Sequence, residues 1–299
     1  MPPIITPYTE YGELDCASLA RLIESLIAGG VHGIFALGSS GETAFLGDLQ
    51  REEVLATVVA AVGKRVPVFA GANDMTINRV IDQVRMAERK GADAVVVTAP
   101  FYVFPSAEEV EEHFRAVAAA TELPVFAYDV PVRVHYKLDH EMLVRLGVDG
   151  VIAGVKDSSG DDVGFRRLVA ANDAAGHPLV LFTGHEVVVD GALMAGADGI
   201  VPGLGNIDPT GYVRMYDAAQ VGDWEAVRKE QNDLAALFEI VFQAHEVSGE
   251  AAGLGAFKTA LHELRLIGSN VMSRPIPRLA GESVSRIRTI VENSGLLIR

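Results

Sequence analysis

The chain has 299 residues, 49% hydrophobic, 7% aromatic and 22% charged, with a formal net charge of -15. This ordinary globular composition is acidic enough to be repelled by nucleic acids and anionic membranes, and no run of lysine and arginine supplies a local basic patch. A single cysteine, Cys16, excludes an internal disulfide framework and the usual structural zinc sites.

Taken in chain order, short β-branched runs alternate with amphipathic stretches. "MPPIITPYTE" lacks the basic and apolar regions of a signal peptide, and no apolar stretch is long enough to span a membrane, so a cytoplasmic location is expected. "PPIIT" near Pro3 reads as a first strand, followed by "LDCASLARLIESLIAGG", whose apolar residues recur at three-and-four spacing. "GIFALG" from Gly33 leads into "LQREEVLATVVAAVG", "VPVFAGA" from Val66 into "NRVIDQVRMAERKG", and "AVVVTAP" from Ala94 into "EEVEEHFRAVAAATE". "LPVFAYDV" from Leu123, "VIAGVKD" from Val151, "LVLFTGH" from Leu179 and "GIVPGLG" from Gly199 complete eight candidate strands.

Runs apolar on both faces, separated by helices at a period of about 30 residues, indicate βα units and a parallel sheet. The units also resemble one another: "GGVHGIFALG", "KGADAVVVTAP" and "AGADGIVPGLG" share a helix-ending glycine before the strand. An α/β fold follows, a (β/α)8 TIM barrel in preference to an open doubly wound sheet. After Gly205 the pattern is helical only: "TGYVRMYDAAQVGDWEAVRKEQNDLAALFEIVFQA", "GLGAFKTALHELRLIG" and a segment beginning at "RPIPRL". The expected organisation is therefore a barrel over residues 1–206 carrying the active site, with a C-terminal helical extension over 207–299 packed on it.

Barrel enzymes place their chemistry at the C-terminal ends of the strands, which selects Ser39, Ser40, Tyr128, Arg133, Lys156 and Glu186. Lys156 closes an apolar run in "GVKD". An amine among low-polarity strand residues has its charged form disfavoured, which frees the lone pair to attack a carbonyl and form a Schiff base. A salt-bridged lysine paired with Asp157 is the plainer reading. "ALGSSGETAFL" offers glycines and two hydroxyls suited to an anionic carboxylate or phosphate, though no GK[ST] follows to make a phosphate P-loop. Tyr128 ends the strand before that of Lys156, so its hydroxyl is placed either to pack or to relay a proton.

"GSSGE", "APFY" from Ala99, "YDVPVR" and "GVKDSSGD" occur in that order near strand ends. As a set they resemble the dihydrodipicolinate synthase and N-acetylneuraminate lyase family of class I, pyruvate-handling aldolases, as do "GADGIVPGLGN" and "FKTAL" further on. The resemblance implies that Lys156 forms an imine with pyruvate or another 2-keto acid and that Tyr128 shuttles protons. It implies that Ser40 and the amides of the loop, Gly41 included, hold the keto acid's carboxylate. Ser39 would link Tyr128 to Tyr102, which in the family reaches in from a neighbouring subunit, and the carbonyl of Val201 would help orient the lysine. A homo-oligomer follows, a dimer or a dimer of dimers (a homotetramer), needing no metal or other cofactor.

The second substrate, an aldehyde acceptor, is less clearly written. Arg133 in "YxxPxR" resembles the synthases, where it contacts an acceptor carboxylate, and favours pyruvate plus aspartate semialdehyde. Against this, His185 stands where synthases tend to carry aspartate. Glu186 alone survives of the acid pair of the sialic acid lyases, and Gly203 occupies their serine position. N-acetylneuraminate lyase and 2-keto-3-deoxy sugar-acid aldolase activities remain the alternatives. Outside this chemistry stand a metal-dependent barrel, for which strand-end histidines are too few, and a non-catalytic keto-acid-binding barrel, which the presence of both Lys156 and Tyr128 disfavours.

Overall fold

Residues 1–298 are described by a computed structural model. They gather into two compact units, Met1–Val66 together with the chain from Pro202 onward, and Pro67–Val201.

In the first unit the opening strand shrinks to a single parallel bridge between Pro3 and Phe35. The reason is chemical: Pro2 and Pro3 have no N–H to donate. What survives is Ile4 N donating to Phe35 O at 2.8 Å and Phe35 N to Pro2 O at 3.0 Å, alongside β1 (Ile34–Ala36). The Asn206 side chain anchors this segment, accepting from Ile5 N at 3.2 Å and donating to Pro3 O at 2.9 Å and to Gly203 O at 2.8 Å. Helix Cys16–Ala28, capped by Asp15, buries Leu19, Leu22, Ile23 and Leu26 and packs on Asp48–Val62.

The C-terminal helices of this unit start at side-chain caps: Asp208 for Pro209–Gln220, Asp223 for Trp224–Phe238 and Ser248 for Gly249–Glu263. The helical reading from "RPIPRL" onward holds only from Glu282, where Glu282–Asn293 begins. Pro275 and Pro277 interrupt the residues before it, since proline lacks the amide a helix interior requires.

The second unit is the regular βα part. β2 (Val68–Gly71), β3 (Ala94–Thr98), β4 (Val125–Asp129), β5 (Gly154–Asp157), β6 (Val180–Thr183) and β7 (Gly199–Ile200) each pair in parallel with the next. β3, β4 and β5 are buried at every position, which is why these runs are apolar on both faces. Phe69, Phe126 and Phe182 converge on one face. Phe126 and Phe182 stack with centroids 5.6 Å apart, and Phe69 meets Phe126 at 4.8 Å. Gly154 makes room for this cluster, because a Cβ there would lie 2.4 Å from Phe126 Cε1 and 2.4 Å from Val180 O. Successive strand side chains alternate between faces, so Tyr128 and Lys156, two residues beyond Phe126 and Gly154, stand above the aromatic floor at the strands' C-terminal ends.

Candidate active site

Lys156 and Tyr128 are register partners across β4 and β5. Both are buried, at 5% and 4% exposure, and Lys156 Nζ lies 4.0 Å from the centroid of the Tyr128 ring. An ammonium over an aromatic face gains about 0.5–2 kcal/mol, more as water is excluded. The two residues of opposite chemical use, an amine and a phenol, thus share one face of the sheet and touch.

Behind them, on the opposite face, Asp129 and Asp157 form the next register pair. Burial pushes the Asp129 carboxyl up to about 6; Lys137 opposes this by ion pairing, while Asp157 adds to it. Lys137 also lies 3.7 Å from Asp157, and Leu138 N donates to Asp129 Oδ1 at 3.1 Å. Asp157 Oδ1 accepts from Ser159 N and Oγ, each at 2.8 Å, fixing the turn after β5. Asp157 is thus committed to Lys137 and the turn. Asp129 holds Lys137. Arg133 is exposed on the short helix Pro131–Val134, which starts at proline and ends at His135 in the left-handed region.

On the other side of Tyr128 stands Thr98, its register partner on β3. Its amide donates to Asn73 Oδ1 at 3.0 Å, and its carbonyl meets His113 Nε2 at 3.1 Å. Its hydroxyl is buried with no hydrogen-bond partner among the described residues. His113 is wholly buried, and burial lowers its imidazole to about 4 despite the Thr98 carbonyl's opposing pull.

Three further expected residues belong to this unit. Tyr102 is 87% exposed at φ +78, in a run with exposed Val103 and Phe104. Glu186 is half-buried, and Val201 is buried, its amide donating to Thr183 O at 2.8 Å.

Ser39, Ser40 and Gly41 belong to the first unit, in a tight turn after β1. Leu37 and Glu42 flank it at φ 57 and 55, strained values for residues with a Cβ. The turn uses the amides of Gly41 and Glu42 internally, donating to Gly38 O at 3.1 Å and Ser39 O at 3.0 Å. Ser39 and Ser40 are half-buried in this turn.

What holds Glu42 in place has no counterpart in the sequence reading. Its buried carboxylate is ion-paired with wholly buried Lys258, from "FKTAL", and accepts from Ser273 N at 2.8 Å. Lys258 also donates to Val271 O at 3.0 Å and lies 4.2 Å from the Tyr8 ring centroid. Burial lowers the Lys258 amine while Glu42 pulls it back; burial and Glu42 together raise the Tyr8 hydroxyl above its usual range. A charged residue amid small and apolar helix neighbours was the available signal for Lys258.

A model of the dihydrodipicolinate synthetase family matches residues 1–294. The chain belongs to the dihydrodipicolinate synthetase family. A 4-hydroxy-tetrahydrodipicolinate synthase of Phenylobacterium zucineum is 34% identical over 81% of each chain. Dihydrodipicolinate synthase of Thermotoga maritima superposes with a TM-score of 0.91 at 26% identity, over 99% of this chain and 97% of that one. YagE, a prophage protein of E. coli K12 belonging to the dihydrodipicolinic acid synthase family and solved with pyruvate, gives 0.92 at 26% identity over the same shares. The fold class is the family's, a (β/α)8 barrel with a C-terminal helical extension, and the protein is a class I lyase of the dihydrodipicolinate synthase type. No described helix is long and apolar enough to cross a membrane.

Proposed function

We propose that this enzyme joins pyruvate to an aldehyde that carries a carboxylate, aspartate semialdehyde being the favoured acceptor, through an imine on Lys156. The observation that carries the reading is the buried pair of Lys156 and Tyr128 at the ends of adjacent strands, the Lys156 Nζ 4.0 Å from the Tyr128 ring centroid. The family's synthase names and the pyruvate complex of YagE support it.

The neutral amine of Lys156 adds to the keto carbon of pyruvate, and water leaves to give a protonated imine. That cation draws electrons from the adjacent methyl, which loses a proton and becomes an enamine carbon. The enamine attacks the aldehyde carbon, the carbonyl electron pair moves to oxygen and takes a proton, and the imine cation is restored. Water then releases the product and frees Lys156. Tyr128 is the group we assign to these proton transfers. Ser39 links it to Tyr102 of a second copy, Ser40 and Gly41 hold the keto acid's carboxylate, Val201 orients Lys156, and Arg133 with Glu186 meets the acceptor. We place the barrel at 1–206 and the helical extension at 207–299, in a cytoplasmic dimer or dimer of dimers.

Borohydride reduction in the presence of pyruvate tests the central claim. One stable adduct is expected on the peptide containing Lys156, and none in Lys156→Ala. An adduct elsewhere, or none in the unmodified enzyme, removes the imine assignment. Turnover of pyruvate with aspartate semialdehyde, N-acetylmannosamine and glyceraldehyde then ranks the acceptors.

A further inference from the structure

Thr98 sits beside Tyr128 with a hydroxyl that the protein leaves unbonded. It is only 5% exposed, and its Oγ1 has no hydrogen-bond partner among the described residues, although its amide and carbonyl are both bonded. A buried unpartnered hydroxyl costs stability, whereas valine of the same shape would not incur that cost. Its register gives the face of the sheet on which the side chain lies. Thr98 pairs in register with Tyr128, and Tyr128 with Lys156, so all three side chains leave the sheet on one face.

The two sides of Lys156 differ in chemistry. On β6 its register partner is Phe182, stacked on Phe126 and unable to hydrogen-bond. On the β4 side come the Tyr128 hydroxyl and then Thr98. Adjacent strands lie about 4.8 Å apart, which puts the Thr98 backbone one spacing from that of Tyr128 and two from that of Lys156. A keto acid held on Lys156 carries its reacting methyl away from the amine nitrogen, and the aldehyde oxygen that meets it needs a donor. On the β4 side the Thr98 hydroxyl, one strand beyond Tyr128, can serve as that donor.

We infer that the Thr98 hydroxyl is a further acceptor-binding group of the active site, donating a hydrogen bond to the carbonyl oxygen of the aldehyde acceptor as that oxygen gains charge. This rests on the imine reading above. In the carbon–carbon step, the enamine carbon bonds the aldehyde carbon and the carbonyl pair shifts to oxygen. The oxygen then receives its proton from Tyr128 while Thr98 holds it in place.

The test compares Thr98→Val and Thr98→Ser with the unmodified enzyme, using pyruvate, aspartate semialdehyde and glyceraldehyde. With Thr98→Val, the borohydride-trapped pyruvate adduct on Lys156 should form at a pyruvate concentration within about twofold of the unmodified enzyme's. Its kcat/KM for both aldehydes should fall about tenfold or more. The melting temperature should rise, because an unpartnered hydroxyl is replaced by a methyl, and Thr98→Ser should recover the kinetics. Unchanged aldehyde kinetics in Thr98→Val overturns the inference while leaving the imine reading intact. An equal loss of pyruvate adduct overturns it as well, by moving Thr98 to the keto-acid side. Absence of the adduct in the unmodified enzyme overturns the imine reading itself, and this inference with it.

Discussion

Tyr128 stands between its two neighbours in register, Thr98 and Lys156, with the Lys156 Nζ 4.0 Å from its ring centroid. Tyr128→Phe keeps the ring and its packing and deletes only the hydroxyl. Loss of a general acid–base group costs about 10²–10⁴ in rate. The expected result is therefore a fall in kcat of that order with an unchanged melting temperature and an intact pyruvate-binding signal. Wild-type turnover would remove Tyr128 from the proton transfers. Gly154, two residues before the lysine, is fixed by a different necessity, since any Cβ there would strike Phe126 and the Val180 carbonyl. Room for the aromatic floor is what places Lys156 above it.

At the scale of elements, helix Ala107–Ala118 is coupled to β3 through a buried histidine. His113 Nε2 lies 3.1 Å from Thr98 O, with its hydrogen donated to that carbonyl when the ring is neutral. Its folded value of about 4 lies below the ordinary 6.5, so the unfolded chain takes up the proton first as pH falls. Stability is accordingly full above about pH 6.5 and declines down to about pH 4, by about 3 kcal/mol from this group alone. Asp129 has the opposite sign. Its carboxyl, raised to about 6 from 3.8, favours the folded state as pH falls through that range. Denaturant unfolding of the unmodified protein and of His113→Gln between pH 4 and 7 separates the two. The variant should be less stable at pH 7, and its disadvantage should shrink as the pH drops. A constant difference across the range would show that His113 is not held neutral. Within the first unit, the Glu42–Lys258 pair couples helix Gly249–Glu263 to the "GSSGE" turn, and removing one partner of such a buried pair typically costs about 3–5 kcal/mol.

For the whole molecule, Tyr102, Val103 and Phe104 form a continuous exposed apolar run. Tyr102 adopts φ +78, a conformation uncommon for a residue with a Cβ. A large aromatic pair left in water fits a surface met by a second copy. Sedimentation should therefore give a dimer or a multiple of it. Phe104→Asp should shift the mass toward the monomer and lower kcat/KM together with it. A fully active monomer would contradict the delivery of Tyr102 from a partner.

The sequence by itself determined the alternation of strands and helices, the parallel sheet and the strand-end placement of Lys156 and Tyr128. These are local properties: two apolar faces show in a run such as "AVVVTAP", and helical periodicity shows within a few turns. The first strand expected at "PPIIT" was reduced by its prolines to one bridge, and those of "RPIPRL" delayed the last helix to Glu282. Only the tertiary structure decided which buried polar groups are paired and by what. Asp129 holds Lys137, and Glu42 meets Lys258 and the Ser273 amide, the latter 231 positions away, while the Thr98 hydroxyl is left unbonded within an otherwise satisfied residue. Periodicity reports that a position is buried, but a hydrogen bond or ion pair depends on the direction and distance of a partner brought in by another part of the chain.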